Sequence, residues 1–146
     1  MHQHAANCAF CHIAEGAAPA RIVFDHDDIV AFLDRRPLFP GHVLVIPRRH
    51  VGNLDELGEK ILTPLFKSVR LIAGAVESAT QSQGTFIALN NKVSQSVPHV
   101  HVHVVPRNKG DGLRGFFWPR NDYRDDKHAD EVQEAVTRAI IRQSTR

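Results

Sequence analysis

The fold of this chain is decided by residues 95–106, which read Gln-Ser-Val-Pro-His-Val-His-Val-His-Val-Val-Pro. Three histidines, His99, His101 and His103, occupy every second position of this stretch. Alternation with a period of two is typical of a half-buried β-strand, because successive side chains of a strand point to opposite faces. The pattern therefore predicts a strand that presents three imidazoles on one face and packs its other face on a core. The residues of that second face are Val100, Val102 and Val104.

Three neighbouring imidazoles on a rigid strand suit a functional site better than a packing role. Imidazole ionises near neutral pH, so such a face can bind a metal, hold a phosphate or attack an electrophile. The alternative is a His-rich exposed strand or an adventitious metal-binding tract. Thr, Lys or Ser would serve equally well on a plain solvent-facing strand. The flanking Gln95, Ser96 and Pro98 also favour a built site.

Length and composition predict one ordinary globular domain. The chain has 146 residues, of which 42% are hydrophobic and 23% charged, which is enough for a substantial core. A formal charge of +2 is too small to argue for a nucleic-acid or membrane partner. The sequence has no apolar run of membrane-spanning length, and its first residues lack the layout of a signal peptide. We therefore expect a cytoplasmic protein.

The two cysteines, Cys8 and Cys11, form a single Cys-x-x-Cys pair. In a reducing compartment this spacing indicates a metal pair or a redox dithiol rather than a structural disulfide. The redox alternative is the weaker of the two, because only a short polar tail precedes the pair where a strand would be expected. Two thiolates supply half of a tetrahedral zinc site, so two further ligands are needed from elsewhere.

Hydrophobic periodicity and turn residues predict an α+β order with a mainly antiparallel sheet. A short helical turn is predicted over 8–15 and ends before Gly16. A long helix is predicted to start after Thr63, its N-cap, with Pro64 in the first turn, and to end at Thr80. A second helix is predicted over 129–142. The predicted strands are 21–25, 29–34, 42–47, 84–90 and 98–105. An aromatic run, 116–118, interrupts an otherwise polar segment.

Several motifs in order carry a resemblance to a known family. Residues 99–105 follow the pattern His-φ-His-φ-His-φ-φ, where φ is apolar, and so resemble the histidine-triad (HIT) superfamily of nucleotide hydrolases and transferases. The resemblance extends over about 8–107 and includes the segments 32–34, 40–47, 48–50 and 95–98. It implies a HIT-like α+β fold with a five-stranded antiparallel sheet, one long helix and one C-terminal helix. Residues 1–146 would form a single HIT domain, with its core at 8–107 and a loop-plus-helix segment at 108–146.

The resemblance assigns catalytic roles to four residues. His101, the middle histidine, would be the nucleophile that attacks an α-phosphate and forms a nucleotidyl-histidine intermediate. His103 and Ser96 would contact phosphate oxygens or assist the leaving group. His42 matches a fourth histidine that supports the triad. The attacking nitrogen of His101 must be bare, so we expect its other nitrogen to donate to a nearby backbone carbonyl.

The resemblance also implies a purine-nucleotide pocket. Asp34 would hold the ribose hydroxyls, and Gln95 and Asn90 are weaker candidates for the phosphate site. Asn90 can equally be read as part of an Asn-Asn turn. The residues implied to line the base pocket are Phe10, Ile13 and Phe32, each of which could instead be ordinary core.

In related branches of the superfamily a structural metal completes the Cys-x-x-Cys pair. The matching set in this chain is Cys8, Cys11, His50 and His99, a closed Cys2His2 zinc site that would leave the other two triad histidines free for chemistry. The remaining histidines near the N-terminus are expected to be solvated: His2, His4 and His12.

The implied function is hydrolysis at the α-phosphate of a nucleoside 5′-phosphoramidate or a (di)nucleoside polyphosphate. Two alternatives stay open: a non-catalytic nucleotide-binding sensor or adaptor, and a nucleotidyltransferase. The resemblance further implies a homodimer, and the small net charge favours no nucleic-acid or membrane partner. The aromatic run at 116–118 would either reach the partner's pocket or pack on its own subunit.

Overall fold

A computed structural model describes residues 5–114 and 120–145. The chain divides into two compact units, one up to Asp111 and one from Gly112 onward. The first unit contains two α-helices, one 3-10 turn and five strands. Their bounds are α1 Ala9–Ala14, β1 Ile22–Asp25, β2 Ile29–Leu33, β3 Val43–Pro47, a 3-10 turn Leu54–Glu56, α2 Glu59–Thr80, β4 Gly84–Ala88 and β5 Val102–Arg107.

The five strands form one antiparallel sheet in the order β1-β2-β3-β5-β4, which confirms the predicted α+β architecture. β3 and β5 are neighbours although α2 and β4 separate them in the chain. Their register pairs Val43 with Val104 and Leu44 with His103. This pairing brings the Pro-Gly-His segment that precedes β3 beside the triad.

The central strands are buried on both faces. All five residues of β3 are buried, and four of the five in β2. On one face α2 contributes Leu65, Val69, Ile72 and Val76, because its apolar residues recur at helical spacing. The side chains that meet this helix are Ile29, Ala31, Val43, Val45, Val102 and Val104 of the sheet and Val100, which lies just before β5. The three valines that alternate with the triad histidines therefore pack on the core, as predicted.

The short helix α1 covers the opposite face. Phe10, Cys11 and Ala14 pack there with Phe32 and Leu44 of the central strands. The thiol of Cys8 caps the helix by accepting a hydrogen bond from the Cys11 N–H across 3.5 Å. The N-terminal segment thus lies directly over the histidine face of the sheet.

The triad face differs from the half-buried strand that the alternation predicts. His99 and His101 are 0% and 4% exposed, and β5 begins only at Val102 rather than at Pro98. The three histidines share a face as the alternation predicts, and α1 covers that face with Phe10, so the exposed His-rich strand that was the alternative is not what forms. Alternation reveals which residues share a face, and a helix from elsewhere in the chain decides whether water reaches it.

The long helix begins five residues earlier than predicted. α2 starts at Glu59 with Gly58 as its N-cap, so Thr63 is not the cap and Pro64 lies inside the helix. Pro64 is the sixth helical residue, and its missing N–H leaves one intrahelical bond unmade. Burial of the helix face that begins at Leu65 outweighs that local loss, since tertiary packing supplies most helix stability.

In the described part of the second unit there is one helix, α3, which spans Asp126–Ser144 rather than the predicted 129–142. Its N-cap is Asp125, whose carboxylate accepts a hydrogen bond from the His128 N–H across 2.7 Å. The aromatic run 116–118 lies outside the described residues, as do His2 and His4. Within the described ranges, no helix is long and apolar enough to cross a membrane.

Candidate active site

The backbone selects the tautomer of the neutral His101 ring. Its Nδ1 lies 2.7 Å from the carbonyl oxygen of His99. A carbonyl can only accept, so Nδ1 carries the proton and Nε2 of the neutral ring is left with a free lone pair. This is the arrangement expected from the sequence for an attacking imidazole, with a backbone carbonyl as the orienting partner.

His42 and His103 form a second oriented pair. The Leu38 N–H donates to His42 Nδ1 across 3.1 Å, so the proton of a neutral His42 sits on Nε2. That Nε2–H donates to His103 Nδ1 across 2.9 Å. The remaining proton of His103 is therefore on Nε2, and His103 offers a neutral N–H donor rather than a lone pair.

Burial keeps this pair neutral. The pKa of His103 is lowered to about 4, chiefly by desolvation and also by the neighbouring His101 and His42, against the opposing effect of Asp34. Desolvation also lowers the pKa of His42, and Asp34, 3.8 Å away, again opposes the shift. Both rings are thus uncharged at neutral pH, as the hydrogen-bond pattern requires.

A cavity of about 480 Å³ opens beside the triad. It brings together seven residues that the sequence assigned to catalysis or nucleotide binding: Phe10, Ile13, Phe32, Asp34, Ser96, His101 and His103. Phe10 stands edge-on to His101 with ring centroids 5.1 Å apart, and it contacts Phe32 in the same manner at 5.4 Å. The side chains of Phe10, Ile13 and Phe32 form an apolar slot, and this slot and the triad histidines are therefore adjoining walls of one cavity.

Asp34 lies in the cavity wall and is tied to its own loop. Its Oδ1 accepts the Arg36 N–H across 2.9 Å, and its N–H donates to the His42 carbonyl across 2.9 Å. The carboxylate is thereby held at the rim, 24% exposed, with acceptor capacity left for a ligand hydroxyl.

Two predicted phosphate-site residues have other surroundings. The Gln95 side chain donates from Nε2 to the Gly52 carbonyl across 2.6 Å and accepts the Lys92 N–H at Oε1 across 3.1 Å. Gln95 lines a second cavity, near His50, instead of the cavity beside the triad. Asn90 is exposed and is not among the described residues that line either cavity.

Four predicted metal ligands come together beneath α1. The ligand atoms of Cys8, Cys11, His50 and His99 all lie within 4.8 Å of one another. His99 Nδ1 is 3.3 Å from Cys8 Sγ and 3.6 Å from Cys11 Sγ, and His50 Nδ1 is 3.4 Å from Cys11 Sγ. Two ligands of one tetrahedral zinc, at 2.0–2.3 Å from the metal, would be about 3.5 Å apart.

The protonation pattern of this cluster also fits a metal. His99 Nε2 lies 2.8 Å from the Pro47 carbonyl and must carry the proton, so Nδ1 is bare and faces the thiols. Burial raises the pKa of the Cys11 thiol to about 11 without a metal, so a bound cation would have to displace its proton. Two sulfur and two imidazole donors are a set that zinc prefers.

Sequence reasoning missed several parts of the site. The Leu38 N–H and the Pro47 carbonyl orient two of the histidines, and a main-chain group leaves no trace in residue type. Arg35 and Arg36 also line the triad cavity, and their position directly after Asp34 was a usable signal.

Comparison with known proteins decides the family. The profile of the HIT domain matches residues 15–110. The chain belongs to the HIT family. It is 39% identical over 137 residues to an uncharacterised HIT-like protein of Saccharolobus solfataricus, covering 92% of this chain and 95% of that one. The HIT fold is confirmed by the crystal structure of a Streptococcus mutans protein, with a TM-score of 0.85 at 34% identity, which covers 96% of this chain and 89% of that one.

Other HIT relatives have more specific descriptions. An Arabidopsis thaliana adenylylsulfatase is 31% identical over 92% of this chain and 70% of its own length. An asymmetrical bis(5′-nucleosyl)-tetraphosphatase of Schizosaccharomyces pombe is 45% identical over 56% of this chain and 46% of its own length. A zinc-bound histidine triad protein of Mycobacterium smegmatis has a TM-score of 0.71 at 34% identity, covering 78% of this chain and 84% of that one.

Proposed function

We propose that this protein hydrolyses a nucleoside 5′-phosphoramidate or a (di)nucleoside polyphosphate at the α-phosphorus, through a nucleotidyl intermediate on His101. One observation carries the proposal. The His99 carbonyl holds the proton of His101 on Nδ1 and leaves Nε2 bare in a residue that lines the cavity. A nucleotide sensor has no need of a buried imidazole oriented in this way.

The chemistry proceeds in two displacements. His101 Nε2 attacks the α-phosphorus, a P–N bond forms, and the bond to the leaving group breaks with its electron pair on that group. Water then attacks the same phosphorus and loses a proton to solvent, the P–N bond breaks with its electron pair returning to His101 Nε2, and the nucleoside monophosphate is released. The His99 carbonyl accepts the Nδ1–H throughout, which stabilises the positive charge on the ring in the intermediate.

His103 and Ser96 supply hydrogen bonds to the phosphate oxygens. His103 is neutral with its proton on Nε2, so it acts as a donor whose strength grows as negative charge develops. An anionic substrate beside the ring raises its pKa, which allows the same group to assist a leaving group that needs a proton. His42 keeps His103 in this state and is a positioning residue.

The adjoining slot accounts for nucleotide binding. Asp34 accepts hydrogen bonds from the ribose hydroxyls, and the base lies against the apolar side chains of Phe10, Ile13 and Phe32. Such a slot selects a purine by stacking area rather than by base edges. Two relatives named for cleaving adenylyl sulfate and a dinucleoside tetraphosphate support this substrate class.

Zinc has a structural role in this proposal. The ion would be held by the four residues of the Cys2His2 cluster, which leave no open position for substrate. It would tie α1, which carries Phe10, to the segment that carries the triad. The proposal also includes a homodimer, as the family resemblance implies, and a cytoplasmic location, as expected from the sequence.

The test is to trap the intermediate. Rapid acid-free denaturation during turnover, followed by intact-protein and peptide mass spectrometry, should find a nucleotidyl group on His101. The substrates are adenosine 5′-phosphoramidate, diadenosine tetraphosphate, adenylyl sulfate and a nucleotide sugar, each with one enzyme preparation. His101→Ala should reduce turnover by at least about a thousandfold while AMP binding persists. His26→Ala is the matched control, because His26 is exposed and stacks on Phe24 outside the cavity.

The alternatives give different results. AMP binding without turnover of any substrate would indicate a sensor. Release of a nucleotidyl group to a second acceptor in preference to water would indicate a transferase. Near-normal turnover by His101→Ala would contradict the mechanism.

A further inference from the structure

The loop that carries Ser96 adopts a conformation that its own residues disfavour. Lys92 and Ser94 have φ angles of 70° and 58°, in the left-handed region that side chains other than glycine seldom occupy. Such a loop holds its shape only when surrounding contacts fix it. Ser96 follows directly and lines the cavity beside the triad.

Gln95 makes the contacts that fix this loop. Its Oε1 accepts the Lys92 N–H across 3.1 Å, which closes the left-handed turn on itself. Its Nε2 donates to the Gly52 carbonyl across 2.6 Å and fastens the turn to a distant segment. Donor and acceptor ends of the amide are therefore both engaged within the protein, and one of them would have to break for Gln95 to contact a phosphate.

Two further bonds join the same two loops. The Leu54 N–H donates to Asn91 Oδ1 across 2.8 Å, and Lys92 pairs with Asp55. The Lys92–Asp55 pair is more than half exposed and contributes little by itself. The Gln95–Gly52 bond is part-buried, whereas these two bonds are exposed, so it is the contact least open to competition from water.

The segment that receives these bonds is itself rigid. The Glu56 carboxylate accepts the Asn53 Nδ2–H across 2.6 Å and the Gly52 N–H across 3.3 Å. The Val51 carbonyl accepts the Val100 N–H across 2.7 Å, which ties the segment to the triad strand. Gly52 is thus a fixed anchor for the Gln95 amide.

From these contacts we infer that Gln95 is a positioning residue that acts through Ser96, not a phosphate ligand. The inference deepens the proposed function and rests on it for the role of Ser96. Gln95 holds the turn at 92–94, and the turn sets where the Ser96 hydroxyl meets the phosphate. This revises the sequence-based expectation that Gln95 contacts the phosphate directly.

The test measures whether Gln95 and Ser96 act as one unit. Gln95→Ala, Gln95→Glu and the control Val93→Ala are each made in the wild-type and the Ser96→Ala background. Glu keeps the size of Gln and its acceptor but cannot donate to Gly52. Val93 is 77% exposed in the same loop, so its truncation should change nothing. Thermal unfolding is recorded for every variant to confirm folding.

We expect Gln95→Ala and Gln95→Glu to lower kcat/KM by about tenfold or more in the wild-type background. In the Ser96→Ala background the same changes should lower kcat/KM by less than about twofold, since effects transmitted through one residue are not additive. Equal losses in both backgrounds would overturn the inference and make Gln95 a direct ligand. A Ser96→Ala variant with normal turnover would also overturn it.

A second measurement is independent of turnover. Amide hydrogen exchange of residues 91–96 should quicken in Gln95→Ala and Gln95→Glu but not in Val93→Ala, because the turn has lost its anchor. Unchanged exchange would refute the positioning role even if the protein proved to hydrolyse nothing. Conversely, faster exchange without any nucleotidyl-His101 would preserve the role of Gln95 in holding the loop and remove the proposed function instead.

Discussion

His42 Nε2 donates a hydrogen bond to His103 Nδ1 across 2.9 Å, between residues that are 61 positions apart. His42 directly precedes β3, and His103 is the second residue of β5, where it pairs with Leu44. The Leu38 N–H fixes the tautomer of His42, which in turn fixes that of His103. A single backbone N–H outside the cavity thus determines which nitrogen of a cavity histidine carries its proton.

Loss of this chain of hydrogen bonds, from the Leu38 N–H through His42 to His103, should impair catalysis more than the binding of AMP. His42→Ala removes the donor to His103 and leaves the Leu38 N–H without its acceptor. We expect kcat to fall by about ten- to a hundredfold, by analogy with the loss of a partner that orients a metal-ligating histidine. The dissociation constant for AMP should change by less than about threefold. Steady-state kinetics and calorimetric titration measure the two quantities. An unchanged kcat in a folded variant would argue against a role for this chain of hydrogen bonds.

Acidification should destabilise the protein through the same pair. The pKa of His103 is about 4 in the folded state against an ordinary 6.5, and that of His42 is lowered as well. As the pH falls below about 6.5, the unfolded chain binds protons that the folded chain does not, so the free energy of unfolding decreases until about pH 4. Urea unfolding at several pH values measures this slope.

In the variant His103→Gln, the free energy of unfolding should fall less steeply as the pH is lowered over the same range. A chelator is kept in all samples so that proton-linked release of metal does not contribute. A slope equal to that of the wild type would show that His103 is not the group responsible.

Zinc removal should destabilise the first unit. Purified protein should hold about one zinc per chain, and Cys8→Ser with Cys11→Ser should hold none, because two of the four ligands are lost. We expect the melting temperature to drop by about 10 °C or more. Elemental analysis and calorimetry are the measurements. His12→Ala, next to Cys11 but outside the cluster, should retain zinc; a metal-free wild type of equal stability would contradict the assignment.

Gly41 should not tolerate a side chain. Its φ is +99°, and a Cβ would lie 2.6 Å from Thr80 Cγ2. Gly41→Ala therefore combines backbone strain with a clash against α2, and we expect a loss of about 2–3 kcal/mol in unfolding free energy. Adding Thr80→Ser, which removes only the clashing methyl, should recover part of that loss but not the part due to φ. Full recovery would mean that the backbone is not strained.

The open edge of the sheet supports the proposed homodimer. β4 is an outermost strand, and Ile87 within it is 45% exposed, which leaves backbone groups and apolar surface to be covered. Light scattering at assay concentration should give twice the chain mass. Ile87→Glu should raise the dimer dissociation constant by at least about tenfold, whereas Glu at exposed Val136 of α3 serves as a control. A wild-type monomer would refute the proposal.

The sequence by itself determined which side of the histidine-triad segment packs on the core. Val100, Val102 and Val104 alternate with histidines, and all three pack against α2 as the period predicts. The strand order could be anticipated only through family resemblance, because periodicity assigns faces and not neighbours. The resemblance also selected Cys8, Cys11, His50 and His99, which the fold brings within ligand distance of one another.

Only the tertiary structure decided how those residues are used. The register of β3 on β5 sets the His42–His103 bond, and α1 decides that the triad face is buried. Gln95 precedes Ser96 in the chain, yet its side chain is bonded to Gly52, 43 residues away. Residue types and their spacing record hydrophobicity and chemistry. Protonation states and loop anchors depend on main-chain carbonyl and N–H groups that every residue has, so they become specific only when the chain is folded.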